Sequence, residues 1–132
     1  GLLKQYLQDY EEVYDYRNIE VTIDEQDIFN VTMNESLAVA LLTNLLKNAF
    51  VHNIDGGHIR ITVTKNSITF RNSGVENPLD KEHIFERFYQ GTKKEGSTGL
   101  GLAIADSICR LQHLSIRYYF EQKEHCFEIS RQ

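Results

Sequence analysis

Leu3, Tyr6, Leu7, Tyr10, Val13 and Tyr14 recur at helical spacing along the first part of the chain. This pattern predicts an amphipathic helix over residues 2–16 whose aromatic stripe packs on the rest of the domain. Ile19 to Asp24 alternates apolar with polar residues and predicts a half-buried strand; Ile28 to Met33 reads as its antiparallel partner. Asn34 suits an N-cap, with Glu35 in the first turn that follows. The run LAVALLTNLLKNAFV, Leu37 to Val51, is apolar on nearly every side and predicts a largely buried helix. His58–Thr64 and Ser67–Arg71 alternate again and form a hairpin about Lys65-Asn66. Thr98–Leu111 predicts a helix that turns Leu100, Leu102, Ala103, Ile104, Ile108 and Leu111 inward. Leu114–Phe120 and Cys126–Ser130 close the chain as a hairpin around Gln122-Lys123-Glu124.

Between these elements, residues 73–97 carry Gly74, Pro78, Gly91 and Gly96 and only one short apolar piece, Ile84 to Tyr89. So long a stretch inside a compact domain reads as a functional loop or lid. The expected fold is a two-layer α/β sandwich, with helices covering one face of a mixed, mostly antiparallel sheet.

Length agrees with one domain over residues 1–132, large enough to bury a core without staples. With 41% hydrophobic and 25% charged residues, one Pro and eight Gly, collagen-like, mucin-like and disordered chains are excluded. A formal net charge of −5 argues against a general nucleic-acid binder, although a local basic cluster could still hold a phosphate. Cys109 and Cys126 have no metal-type spacing and sit in apolar surroundings, so they read as reduced core thiols. No apolar run reaches the ~18 residues of a membrane span, and no signal-peptide pattern is present. The chain opens on Gly1-Leu2-Leu3 without an initiator Met and reads as a piece of a longer protein.

Three segments stand out chemically. Asn44 and Asn48 lie one turn apart on one face of an otherwise apolar helix, with His52 and Asn53 one turn further on. They are either satisfied core amides or a polar track to a ligand; an amide oxygen is also a hard ligand suited to Mg2+. Gly96-Ser97-Thr98-Gly99-Leu100-Gly101-Leu102 places three glycines before a helix, which makes either a hinge or an anion site fed by free N–H groups. Asn72-Ser73-Gly74 at a strand end is either a plain turn or a place from which Asn72 reaches a base edge.

In order and at this spacing, NLLKNAFVHN (44–53), RNSG (71–74), IFERFYQG (84–91) and GSTGLGLAI (96–104) together resemble the catalytic ATP-binding domain of sensor histidine kinases. That domain belongs to the ATPase group shared with gyrase, the heat-shock chaperone and mismatch-repair proteins. The resemblance covers essentially the whole chain. It implies a Bergerat-type fold in which residues 73–97 form an ATP lid. It also implies ATP and Mg2+ as ligands, with Asn48 as the metal-ligating asparagine. Asn44 matches the neighbouring catalytic position, where gyrase-type relatives carry a water-activating Glu; an amide there fits transfer to a protein histidine. His52 and Asn53 match the polar end of the same box. Asn72 matches an Asp that accepts from the adenine amino group, with Gly74 beside it. Phe85 and Phe88 match lid aromatics. Gly96, Ser97, Thr98, Gly99, Leu100, Gly101 and Leu102 match the phosphate loop, and Lys94, Arg87 and Lys93 are candidate lid cations.

Three positions depart from the resembled pattern. Asn72 replaces Asp, Glu76 and its neighbours lack a second glycine, and Val51 stands where many relatives have Lys or Arg; each weakens expected ATP contacts. None of the five histidines, His52, His58, His83, His113 and His125, is followed by Asp or Glu. The acceptor histidine is therefore expected on a separate dimerisation domain, with a response regulator as the indirect partner. The isolated chain is expected to be a cytoplasmic monomer, and its parent a homodimer anchored in a bacterial inner membrane. A degenerate nucleotide-binding or scaffold module, and a serine kinase of the anti-sigma-factor type, share the fold. The Phe-x-x-Phe segment favours the histidine-kinase branch.

Overall fold

The structure, a computed structural model, describes residues 2–86 and 100–132. Helix α1 (Leu2–Val13) leads through a short 3-10 turn, Asp15–Arg17, into strand β1 (Glu20–Glu25). Helix α2 (Glu35–Val51), strands β2 (His58–Val63) and β3 (Ser67–Asn72), helix α3 (Gly101–Leu111) and strands β4 (Leu114–Glu121) and β5 (Glu124–Arg131) follow. The strands form one sheet in the order β1-β2-β3-β5-β4. β1 and β2 run parallel, joined through α2, and every other pair is antiparallel.

The period-two alternation decides the layering. Ile59 and Ile61 on β2, Phe70 on β3 and Phe127 and Ile129 on β5 share one face through the register, and all are buried. Helix α2 lies on that face with Leu45, Leu46, Ala49 and Phe50 enclosed, and α3 adds Ala105 and Ile108. Asn34 caps α2 as expected, its Oδ1 accepting from the N–H groups of Ser36 (2.8 Å) and Leu37 (3.4 Å). On α1, Tyr10 and Tyr14 stack on Phe50 at centroid distances of 6.1 and 5.3 Å. The opposite sheet face is polar. There His58 and Arg60 converge on the buried Glu124, at 2.7 Å from its two carboxylate oxygens. Burial alone would raise the Glu124 carboxyl, but the hydrogen bonds and charges of Arg60 and His58 hold it below the usual range. Both thiols are free and buried, and burial pushes Cys109 up to about 12 and Cys126 up to about 11, so both are unreactive.

Three expectations fail. Residues 28–33 form no strand; Phe29, Val31 and Met33 pack against the core while Arg131 donates to the Asn30 carbonyl at 2.5 Å. β1 takes β2 as its partner instead. On α3, Ile104 and Leu111 are not inward but 43% and 68% exposed, with Ala105 and Cys109 in the core. The helix therefore sits rotated from the face its largest aliphatics suggest. The final turn is shorter than expected: Gln122 and Lys123 alone make it, both at positive φ (52° and 63°), and Glu124 already belongs to β5.

Candidate functional site

The site forms at one end of the sheet, where α2 and β3 end and α3 begins. Asn44 and Asn48 are both half-buried on α2. The Asn44 Nδ2 donates to the Ala40 carbonyl at 2.7 Å, one turn back. Its Oδ1 lies 3.1 Å from where a Cβ on Gly101 would stand, so the start of α3 rests directly on this amide. The Asn48 side chain has no hydrogen-bond partner among the described residues. A half-buried, unengaged amide oxygen is a hard neutral donor, and it fits Mg2+, which takes one or two protein oxygens and fills its shell with water and phosphate. The first turn of α3 begins at Leu100 with no side-chain cap. The positive dipole end of the helix lies beside Asn44, and Gly101 and Leu102, both half-buried, belong to its first turn and suit an anion there.

His52 ends α2, its N–H donating to the Asn48 carbonyl at 3.1 Å. The His52 carbonyl is 2.9 Å from the position of a Cβ on Gly74, and only glycine allows the two backbones so close. Asn72, the last residue of β3, is 2% exposed. Its Nδ2 donates to the Ser73 carbonyl at 2.8 Å. That carbonyl can only accept, so the amide orientation is fixed and Oδ1 is left buried with no partner. Buried acceptors are nearly always satisfied, so this orphan marks an acceptor with room for a further donor.

Asn53 differs from expectation. It is fully enclosed, its Nδ2 donating to the carbonyls of Ala49 (3.1 Å) and His58 (3.0 Å). Its Oδ1 accepts from the Ser73 hydroxyl (2.6 Å) and the Ile54 N–H (2.8 Å). With both ends of the amide occupied by protein, Asn53 is a clasp joining α2, β2 and the end of β3, behind the site surface. Phe85 is half-buried with its ring edge-on to Phe127 at 6.2 Å, and the neighbouring Ile84 is buried. Phe88, Lys94, Gly96, Ser97, Thr98 and Gly99, with Arg87 and Lys93, lie outside the described residues.

Two contributors escaped the sequence reading. Arg17 donates to the carbonyls of Phe50 (2.5 Å) and Asn53 (2.6 Å) and pairs with Asp55 at 2.7 Å. It thereby satisfies the carbonyl end of the helix that carries both asparagines. A lone Arg after an acidic helix gives no signal of this. The other is His125, cross-strand neighbour of Asn72 and 4% exposed.

An uncapped helix start, an unengaged amide oxygen and an orphan buried acceptor on one rim suit an anionic ligand that also carries an amino-substituted ring. The sequence profile of the family described as "Histidine kinase-, DNA gyrase B-, and HSP90-like ATPase" matches residues 33–130, and the chain belongs to that family. Within it, the chain is an ATP-binding catalytic domain of the sensor histidine kinase type. It is 43% identical over 84 residues to the sensor histidine kinase RppB of Synechocystis sp., covering 57% of this chain and 18% of that protein. It is 34% identical over 122 residues to the heme sensor protein HssS of Staphylococcus aureus, covering 89% and 26%. The chain thus spans about a quarter or less of these relatives. The solved catalytic domain of the histidine kinase ThkA superposes with a TM-score of 0.83 at 25% identity, covering 97% of this chain and 88% of that one. The fold is shared with the mycobacterial sensor histidine kinase MprB (TM-score 0.82, 19% identity, covering 98% and 93%).

Proposed function

We propose that this domain holds Mg-ATP and presents its γ-phosphoryl group to a histidine on a separate dimerisation domain. The observation that carries the reading is the orphan Asn72 Oδ1, a buried acceptor placed for the amino group of adenine. The α3 N-terminus would support phosphates through the N–H groups of Gly101 and Leu102, and Asn48 would hold the ion through Oδ1. Bound Mg2+ supplies charge neutralisation at the phosphates. His52 and Gly74 set the distance between the base and phosphate ends through their backbone contact. Asn44 joins α2 to α3, and as an amide it cannot take a proton from water, which favours transfer to histidine over hydrolysis. Asn53 acts behind these groups, and Phe85 anchors the segment 73–86 on the core. Phe88, Lys94 and Gly96–Gly99 complete the lid and phosphate loop in this reading. Catalysis here is positioning and electrostatics.

No described helix is long and apolar enough to cross a membrane. We place the domain in the cytoplasm, as part of a homodimeric parent at a bacterial inner membrane that signals to a response regulator. A solved ThkA structure is in complex with the response regulator protein TrrA (TM-score 0.78, 24% identity). The isolated domain is then a monomer, which sedimentation checks.

The test is calorimetric titration of ADP and ATP with and without Mg2+. Micromolar to sub-millimolar, Mg2+-sensitive binding that Asn48→Ala removes is the expected result. Absence of binding by the native domain overturns the reading in favour of an interaction module.

A further inference from the structure

His125 is buried at the head of β5, and its ring ties two strands and a loop. Nε2 lies 2.7 Å from the Val75 carbonyl, and Nδ1 lies 2.7 Å from the Tyr118 hydroxyl. The Tyr118 oxygen in turn accepts the Leu79 N–H at 2.9 Å. For a neutral imidazole one proton arrangement satisfies all three. A carbonyl cannot donate, so Nε2 carries the imidazole proton. Nδ1 is then the acceptor, Tyr118 donates to it, and the phenolic oxygen is left to receive Leu79. The ring also packs against Tyr118 at 5.9 Å and Phe120 at 4.8 Å between centroids. Burial lowers its pKa, in keeping with a neutral imidazole.

These bonds grip both ends of the loop that follows Asn72. Val75 and Leu79 are fastened, and Gly74 is wedged between the His52 carbonyl and the His125 ring, where a Cβ would meet them at 2.9 and 3.2 Å. The next residue back is Ser73, whose carbonyl receives the Asn72 Nδ2. One continuous path therefore runs from the imidazole through Val75, Gly74 and Ser73 to the amide whose oxygen is unsatisfied.

We infer that His125 and Tyr118 form a latch that fixes the 73–79 loop, so that Asn72 Oδ1 is held as an acceptor aimed at the ring amino group of the nucleotide. His125 is thus a positioning residue for base selectivity. This inference rests on the nucleotide-binding reading above, and it assigns the selectivity to a side chain that itself needs no contact with the base. A fixed acceptor favours adenine, which offers an amino group, over hypoxanthine, which offers a carbonyl oxygen at the same place. A loop free to rotate the Ser73 peptide lets the Asn72 amide turn over and present Nδ2 instead.

The experiment compares native protein with Tyr118→Phe, His125→Phe and His125→Gln. Gln carries one donor and one acceptor and can rebuild both bonds. The readouts are ADP and IDP affinity by calorimetry and hydrogen exchange at the Leu79 amide in ligand-free protein. In the native domain ADP binds about 10-fold or more tighter than IDP. In Tyr118→Phe and His125→Phe that ratio falls to within about twofold and Leu79 exchange rises about 10-fold or more, while His125→Gln recovers most of both. Leu79 protection unchanged in Tyr118→Phe overturns the latch, whether or not nucleotide binds. Faster exchange with an unaltered ADP/IDP ratio overturns the positioning role and leaves the function standing. Native protein that binds neither nucleotide defeats the functional reading and the selectivity role with it, and the exchange data then decide the latch alone. If His125→Phe does not fold, Tyr118→Phe and His125→Gln carry the comparison.

Discussion

Truncating Asn53 to Ala separates a clasp from a ligand contact. The change removes an acceptor that takes the Ser73 hydroxyl and the Ile54 N–H, and a donor that serves the Ala49 and His58 carbonyls. Not all four partners are stranded. Ile54 is 49% exposed and its N–H turns to water. The His58 carbonyl keeps the Ser73 N–H at 3.1 Å, and the Ser73 hydroxyl can swing to the same carbonyl, now 3.3 Å away. What remains is the Ala49 carbonyl, the weakened Ser73 hydroxyl and a small void. Leaving a buried polar group unsatisfied costs about 1–3 kcal/mol, so the loss comes to about 2–4 kcal/mol. That is a large fraction of the ~5–15 kcal/mol that holds a domain together. Equilibrium urea unfolding reads it directly as a lower midpoint with an unchanged slope. ADP affinity, measured where both proteins are folded, stays within about threefold of native, since the amide does not reach the site surface. A stability loss under about 1 kcal/mol combined with a tenfold loss of ADP affinity would refute the clasp and return Asn53 to the ligand.

Two shorter predictions follow from the same geometry. Gly74→Ala forces a Cβ to 2.9 Å from the His52 carbonyl, so it should cost about 1–3 kcal/mol in thermal or urea unfolding and weaken ADP binding at the same time. A native-like ADP affinity in a fully folded Gly74→Ala protein would mean the two backbones need not stay close. Stability should also fall as the solution is acidified below the ordinary histidine range. The His125 pKa is lowered by burial, so below pH ~6.5 the unfolded chain takes up a proton that the folded one refuses. The titratable side chain in contact with it is Tyr118 on β4. The exposed His83, raised by Asp80, contributes with the opposite sign. The measurement is therefore the difference between native and His125→Gln unfolding free energies from pH 5 to pH 8, which should shrink toward low pH.

Much of this fold was legible because its signals are local. Asn34 caps α2 as its side chain dictates, and the alternation of β2, β3, β4 and β5 puts their apolar residues on the helix face. The failures are non-local. Ile28–Met33 alternates like a strand, yet strand pairing depends on which edge is offered. The crossover through α2 delivers β2 to β1 and leaves 28–33 to pack by its side chains. Ile104 and Leu111 have the right spacing for a core face, but the start of α3 is fixed by the Asn44–Gly101 contact, which turns smaller residues inward. At the site, residue types were readable and burial was not. Asn53 and Asn72 look equally polar on paper, yet one amide has protein partners at both ends and the other has an orphan oxygen.

That orphan bears on why an amide occupies position 72. A carboxylate would accept from adenine more strongly through its charge. Here, however, the second arm of the side chain faces the Ser73 carbonyl at 2.8 Å, and an ionised Asp would set oxygen against oxygen in a site 2% exposed. The amide is therefore matched to this loop. Asn72→Asp then carries a folded-state pKa raised above the unfolded value by burial and by the carbonyl opposite. Protonated, the acid can donate to Ser73 and still accept from the base, so the variant should resemble native protein at mildly acidic pH. As pH rises through the raised pKa the proton is lost. Stability should decline between the unfolded carboxyl's pKa and the raised folded one, the window in which the folded state holds a proton that the unfolded state lacks, and ADP affinity should decline as the pH passes the raised value. ADP titrations of native and Asn72→Asp protein between pH 5.5 and 8.5 test this. Tighter binding by the variant at pH 8.5 would show that the Ser73 carbonyl turns away freely, and that the amide contributes nothing an acid could not.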